Sequence, residues 1–292
     1  LKIDINNFKK IFINLNLYHL FFASILFIPH LFLKSIRWNY ILSIQGIKYS
    51  IIETFIIYMS ALYIGFVTPG RLGEFVKVIY VKNDKNVSYG KGFSSVLIDR
   101  FFDFVLLILL SIIGIWKLKM INYSSEVIIV IFLALVLCTF GFLYKKSVFL
   151  FLRDFLFIKR LNNIFPNAKS NYNDFKKGIY QIISYKLIIV FSITSVSYVF
   201  LVFQSYELIL SMGLFIDLIS ITFFMAISSL VALLPISFSG LGTREAALIF
   251  LFSHINFSPE NAIIFSFLIF FTFHVFGGVI GYICYSLNPI KF

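Results

Sequence analysis

The stretch SSVLIDRFFDF, residues 94–104, places Asp99, Arg100 and Asp103 inside an otherwise apolar segment. Asp99 and Asp103 stand four residues apart and share a helical face, and Arg100 lies three residues before Asp103, close enough to pair with it. A charge at the centre of a membrane span costs about 2.5–3.5 kcal/mol on insertion scales, so three together should face protein or water. Such carboxylates could carry protons or meet a cationic group. The competing reading is a salt-bridged helix start.

Two other stretches join helix breakers to an Arg/Glu pair. In FVTPGRLGEFVKVIYVK (66–82), Pro69, Gly70 and Gly73 surround Arg71 and Glu74. In LVALLPISFSGLGTREAALIF (230–250), Pro235, Gly240 and Gly242 precede Arg244 and Glu245. The sets do not align residue for residue, because Pro to Glu is five positions in the first and ten in the second. Each arginine offers forked donors to phosphate oxygens. A broken helix also points free N–H groups and partial positive charge at an anion, while a first-turn glutamate suits the same dipole. Interfacial residues capping ordinary helix ends, with snorkelling arginines, would show similar types. Paired Gly/Pro interruptions in matching positions of two halves favour a transporter binding site instead.

The elements that must position these groups are membrane helices. Of 292 residues, 60% are hydrophobic, 13% are charged and 39 are Phe. Soluble domains average about 45–50% apolar and ~25% charged, so the composition excludes one. Long apolar runs predict helices rather than the short alternating strands of a barrel. The net charge of +12 sits in a few inter-span segments, which indicates topology and anionic lipid rather than nucleic acid. Cys138 and Cys284 both fall in apolar runs, so neither a disulfide framework nor a zinc site is expected. His254 and His274 are isolated in sequence and read as satisfied histidines rather than metal ligands. His30, Lys34 and Arg37 form a stripe that reads as an interfacial anchor reaching lipid headgroups. Gly277 and Gly281 mark a close helix-packing face. No Walker loop, dinucleotide fingerprint, HExxH or GxSxG motif is present, and no cofactor is expected.

Hydrophobic segments fall at about 17–36, 51–68, 94–116, 124–144, 186–206, 214–236, 244–256 and 261–285, of which 244–256 is too short to span alone. Segment 145–186 holds nine basic residues and 69–93 holds five, whereas 207–217 holds none and 117–126 holds Lys117 and Lys119. The positive-inside rule therefore puts the first two in the cytoplasm and the last two outside. Within the cytoplasmic connection 145–186, residues 148–165 read as an amphipathic surface helix ended by Pro166. Segments 51–81 and 214–256 then dip in from opposite faces. The predicted fold is an all-α polytopic membrane protein with about six full spans plus two opposed re-entrant hairpins in an inverted repeat. It forms a single domain over 1–292. Because the chain begins with Leu1 rather than Met, an N-terminal piece as large as a first span is expected to precede it.

RW at 37–38, TPGRLGE at 68–74, DRFFD at 99–103 and LPISFSGLGTRE at 234–245 resemble the flippase-like membrane domain of lysylphosphatidylglycerol synthase/flippase proteins. The resemblance covers nearly the whole chain. It implies re-entrant hairpins and movement of lipids with modified headgroups between leaflets of the cell membrane. The family often shows Glu where this chain has Asp99, and its lysyl-transferring members carry a soluble synthase domain after the membrane part. Here the chain stops at Phe292. The expectation is a non-enzymatic, multi-pass lipid flippase-like transporter for a phospholipid, aminoacylated or not, or a polyprenyl-phosphate-linked lipid. Arg71, Glu74, Asp99, Arg100, Asp103, Arg244 and Glu245 would form the headgroup site, with Arg71 and Arg244 holding the phosphate of an anionic headgroup and Glu74, Glu245 and Asp99 meeting a cationic group or a coupling proton. Its expected partners are membrane lipids, a separate synthase or glycosyltransferase, and further copies of itself. The alternatives are the membrane part of a phosphatidylglycerol lysyltransferase or glycosylation system, and a non-transporting scaffold.

Overall fold

A computed structural model describes residues 5–66, 68, 72–118, 168–233 and 240–290. The expected span 124–144 and the amphipathic segment 148–165 lie outside the described residues, as do Pro69, Gly70, Arg71 and Pro235. Every regular element among the described residues is helical. In chain order these are α1 (Ile5–Ile13), α2 (Leu17–Ile44), α3 (Ile51–Phe66), a 3-10 turn (Leu72–Val76), α4 (Lys77–Lys85) and α5 (Tyr89–Lys117). After them come α6 (Ala168–Ile182), α7 (Lys186–Ser211), α8 (Leu218–Leu233), α9 (Thr243–His254), α10 (Pro259–Phe270), a π-helical turn (Phe271–Phe276) and α11 (Gly277–Leu287). Among the described residues three helical runs are long and apolar enough to cross a membrane: α2, α7 and the continuous run Pro259–Leu287. The protein is a helical membrane protein.

Local chemistry fixes the helix ends. The Asn16 side chain accepts from the Tyr18 N–H at the start of α2. At its far end Gly46 takes φ +76°, which lets the Ile47 N–H reach back to the Leu42 carbonyl at 2.9 Å. Ser50 and Glu53 form a reciprocal cap on α3, at 3.2 and 2.8 Å. Asp217 accepts from the Ser220 N–H at the start of α8.

Contacts between distant residues assign the helix ends to two ends of the molecule. At one end Tyr49 donates to Asp84, Tyr80 donates to the Asn288 carbonyl and Gln45 reaches the Gly178 carbonyl. At the other the Asn16 N–H meets the Ser211 carbonyl and His254 contacts the Leu118 carbonyl. Helices α2 and α7 run antiparallel, with His30 opposite Ser197 and Arg37 opposite Thr194. Gly73 packs on the Ile64 backbone and Tyr49 meets Asp84, so α3 and α4 run side by side in opposite directions. Likewise Ala232 touches Gly240 while Phe224 faces Phe252, pairing α8 with α9.

The halves clasp each other reciprocally. Gly114 of α5 lies against Phe223 of α8, and Gly281 of α11 lies against the Met59 carbonyl and Tyr63 of α3. Gly277 seats the ring of Phe27 from α2. The expected Gly277/Gly281 packing face is therefore present, and it faces two different helices.

Candidate functional site

The charged core is built on helix spacing. Lys34 and Arg37 of α2 stand one turn apart, as do Asp99 and Asp103 of α5, so two cations face two carboxylates across the helix pair. Arg37 Nε donates to Asp99 Oδ1 at 2.8 Å, and its two terminal nitrogens lie 2.6 Å from Asp99 Oδ1 and 2.8 Å from Asp103 Oδ1. The same guanidinium reaches Thr194 Oγ1 on α7 at 3.0 Å. Lys34 Nζ closes on Asp103 Oδ2 at 2.8 Å. Arg37 and Asp99 are wholly buried.

The first hairpin adds the remaining members. Lys77, the first residue of α4, lies 3.1 Å from Asp99 Oδ2 and 4.0 Å from Glu74, with its Nζ 4.1 Å from the ring centre of Tyr58. Trp38 provides a second aromatic face at 5.1 Å and anchors itself by donating to Ser95. Arg100 pairs with Glu74. Three buried ammonium or guanidinium groups (Lys34, Arg37, Lys77) thus balance three buried carboxylates (Glu74, Asp99, Asp103), and Arg100, with 22% of its side chain exposed, is the surplus cation at the rim. Burying charges in this way is tolerable only because each faces an opposite charge.

The seat of Glu74 is made by two glycines. A Cβ at Gly65 would stand 2.6 Å from Glu74 Cγ, and one at Gly73 would stand 2.6 Å from the Ile64 carbonyl oxygen. Thr68 staples the same bend, its hydroxyl donating to the Gly65 carbonyl and accepting from the Gly73 N–H.

Expected site residues divide into two centres. Glu74, Asp99, Arg100 and Asp103 meet in the cluster, whereas Arg71 lies outside the described residues. Arg244 and Glu245 belong to α9, which packs against α8 and α10 rather than on the helices of the cluster. There Glu245 accepts from the Gly242 N–H at 2.5 Å and from Ser266 at 2.6 Å, and Arg244 is buried with its guanidinium beside Gly240. Gly240 and Gly242 take φ of +80° and +84°, the positive values the turn requires. Glu245 is a helix-capping carboxylate, and Glu74 is an ion-pair partner. The two sets match in composition but not in role.

Three sequence expectations need correction. Arg100 pairs with Glu74 rather than with Asp103, because α5 turns Asp103 toward α2 and leaves Arg100 facing the hairpin. The stripe His30, Lys34 and Arg37 is not an interfacial anchor: α2 continues to Ile44, which moves all three into the interior against α7 and α5. Lys77, counted as a loop charge for sidedness, is buried. Its signal was the i,i+3 spacing from Glu74.

Among the described residues no group of three His, Cys, Asp or Glu side chains could hold a metal ion. His254 contacts the Leu118 carbonyl, and His274 stacks on Phe270 beside Phe66.

Comparison with known proteins places the chain among membrane proteins. The chain is 24% identical to the UPF0104 membrane protein MJ1595 of Methanocaldococcus jannaschii, over 96% of this chain and 88% of that one. It is 27% identical to a second UPF0104 membrane protein of the same organism, MJ1078, over 76% of this chain and 94% of the relative. No solved structure matches. Residues 1–281 match the family described as the lysylphosphatidylglycerol synthase TM region, and the chain belongs to that family.

Proposed function

We propose that this domain is a lipid flippase-like transporter. It lets the headgroup of a phospholipid, or of a polyprenyl-phosphate-linked lipid, cross the membrane between two hairpins that enter from opposite faces. The single observation that carries this reading is the charged cluster at the turn of the first hairpin. A headgroup cannot enter hydrocarbon without losing its water, and fixed charges in a protein interior replace that water.

The hairpin geometry supports the reading. Helix α3 has 16 residues, about 24 Å long, and its return arm of a five-residue 3-10 turn and nine-residue α4 is about as long. Both are shorter than the ~30 Å hydrocarbon core. The second hairpin opens from the other end of the molecule. With α2 antiparallel to α7, and α5 and α11 each clasping the other half's first hairpin arm, the halves relate as an inverted repeat. About six crossings are expected in this reading from the hydrophobic segments of the sequence. Lys48, Lys82, Lys85 and Lys186 gather at the end holding Tyr49 and Asp84, which is the cytoplasmic end in this reading.

Purified protein in proteoliposomes, with tail-labelled phospholipid and an impermeant quencher, tests this directly. Labelled lipid should exchange between leaflets with its mass unchanged. A protein-free rate would sink the proposal, and a change in lipid mass would favour the membrane part of a lysyl- or glycosyl-transferring system, the reading that the family's description suggests. Sidedness has its own check. With Cys138 and Cys284 replaced, single cysteines at positions 122 and 212 should react with an impermeant maleimide on intact cells, and those at 85 and 170 should not. Labelling at 170 but not 122 would reverse the topology.

A further inference from the structure

Glu74 is almost completely buried, yet among the described residues neither carboxylate oxygen accepts a hydrogen bond, and Oε1 has no ion-pair partner either. Its other oxygen faces Arg100 and, more distantly, Lys77. The bend cannot easily turn the carboxylate elsewhere: Gly65 lies against its Cγ, Gly73 lies against the Ile64 backbone, and Thr68 ties the two glycines together. An orphaned buried carboxylate oxygen is costly, and what relieves it is an N–H or O–H donor. Beside it, Arg100 is the one partly exposed cation of the cluster, and a guanidinium spends only some of its five donors on one carboxylate. The surplus positive charge at the rim and the unfilled acceptor behind it are neighbours.

We propose that this pair reads a phosphodiester headgroup carrying a proton donor a few bonds from phosphorus. Phosphate oxygens accept from Arg100 while an ammonium N–H or hydroxyl O–H donates to Glu74 Oε1. The assignment rests on the transport reading above and goes beyond it by naming the headgroup chemistry. A phosphodiester alone satisfies Arg100 and leaves Glu74 Oε1 unfilled. A choline headgroup carries a cation but no N–H, so it too leaves the acceptor empty while pressing methyl groups against a closed bend. Ethanolamine and glycerol headgroups both supply what is missing. The site therefore selects donor-bearing headgroups over choline, and the selection resides in Glu74. Glu245 has no such role, because the Gly242 N–H and Ser266 already occupy its two oxygens.

The test uses one set of vesicles containing ethanolamine, glycerol and choline phospholipids with the same tail label. Wild-type protein should move the first two faster than choline by about 10-fold or more, the discrimination expected when a charged acceptor is left unfilled. Glu74→Leu should bring the three rates within about two-fold of one another, Glu74→Gln should keep part of the preference, and Arg100→Ala should slow all three. Faster movement of ethanolamine alone would assign the donor to an ammonium, and of glycerol alone to a hydroxyl; either supports the site. Equal wild-type rates, or a preference that survives Glu74→Leu, would overturn it. Calorimetric titration of detergent-solubilised protein with glycerophosphoethanolamine, glycerophosphoglycerol and glycerophosphocholine separates this inference from transport itself. Selective binding without lipid movement would fail the flippase reading alone. Movement of all three lipids with unselective binding would fail the headgroup assignment alone. Should Glu74→Leu not fold, the Glu74→Gln comparison decides, in binding as in movement: an unchanged preference there counts against the site.

Discussion

Arg37→Met is expected to destabilise the protein by about 3–5 kcal/mol, the cost of breaking a buried ion pair by removing one partner. The substituted side chain fills similar volume, so little of the loss comes from a cavity. It comes from Asp99 and Asp103, both of which take a guanidinium nitrogen of Arg37 at 2.8 Å or less. Lys34 and Lys77 would remain, one for each carboxylate, but Oδ1 of Asp99 and Oδ1 of Asp103 would both lose their guanidinium donor. Neutralising one acid should recover part of the loss: Arg37→Met with Asp99→Asn keeps Lys34 on Asp103 and Lys77 beside Glu74, two buried cations against two buried carboxylates, and should be more stable than Arg37→Met alone. That sign follows from desolvation, since an ion-pair set can be replaced by neutral groups more cheaply than it can be broken. Thermal unfolding in detergent, monitored by size-exclusion chromatography after heating, reads all the variants. Lys82→Ala, which removes an exposed contact with Asn86 and a distant one with the Tyr89 ring, should stay within about 0.5 kcal/mol of wild type. If the single and double variants melt together, the cluster is not held by charge.

The effect of Arg37 shows where the amino-acid sequence was legible and where it was not. The chemistry of Asp99 and Asp103 could be read because charge inside an apolar run is expensive and their spacing fixes a shared face. The helix interruptions could be read from glycine and proline, since membrane-length segments rarely carry so many breakers. What could not be read is which cations answer the acids. Lys34 and Arg37 looked terminal because the first apolar window closes near residue 36, whereas α2 runs to Ile44 and buries Trp38, Ile41 and Leu42 beyond them. Hydropathy locates the apolar stretch, not the helix end. Lys77 follows a turn whose 3-10 geometry decides which way its side chain points, and sequence spacing alone does not carry that rotation. The opposite error arose at the second hairpin. Similar residue types suggested equal roles, but Glu245 finds its donors locally while Glu74 finds a cation on another helix.

The clasp between the halves makes the last prediction. Gly281→Val should destabilise the protein by about 1–3 kcal/mol and slow lipid exchange, because overpacking must move one helix off the other. A Cβ at position 281 would stand 2.8 Å from both the Met59 carbonyl oxygen and Tyr63 Cβ on α3. A helix carbonyl cannot rotate away, so α11 itself must shift. The reciprocal contact differs in kind: at Gly114 the obstacle is the Phe223 side chain, whose Cβ would be 2.6 Å away, so relief there requires moving the root of a side chain rather than an oxygen of the main chain. Gly114→Val should therefore be disruptive but the milder of the two in melting temperature. Helix α3 carries the first hairpin, and moving α11 against it displaces the bend on which Glu74 sits without touching any charged group. Gly281→Val is accordingly expected to lower exchange of every headgroup alike and leave the preference over choline in place, while Glu74→Leu erases the preference. Exchange rates of the three labelled lipids, measured at matched reconstitution, distinguish the outcomes; a Gly281→Val protein with wild-type stability and rates would mean that α3 and α11 are not clasped as the structure has them.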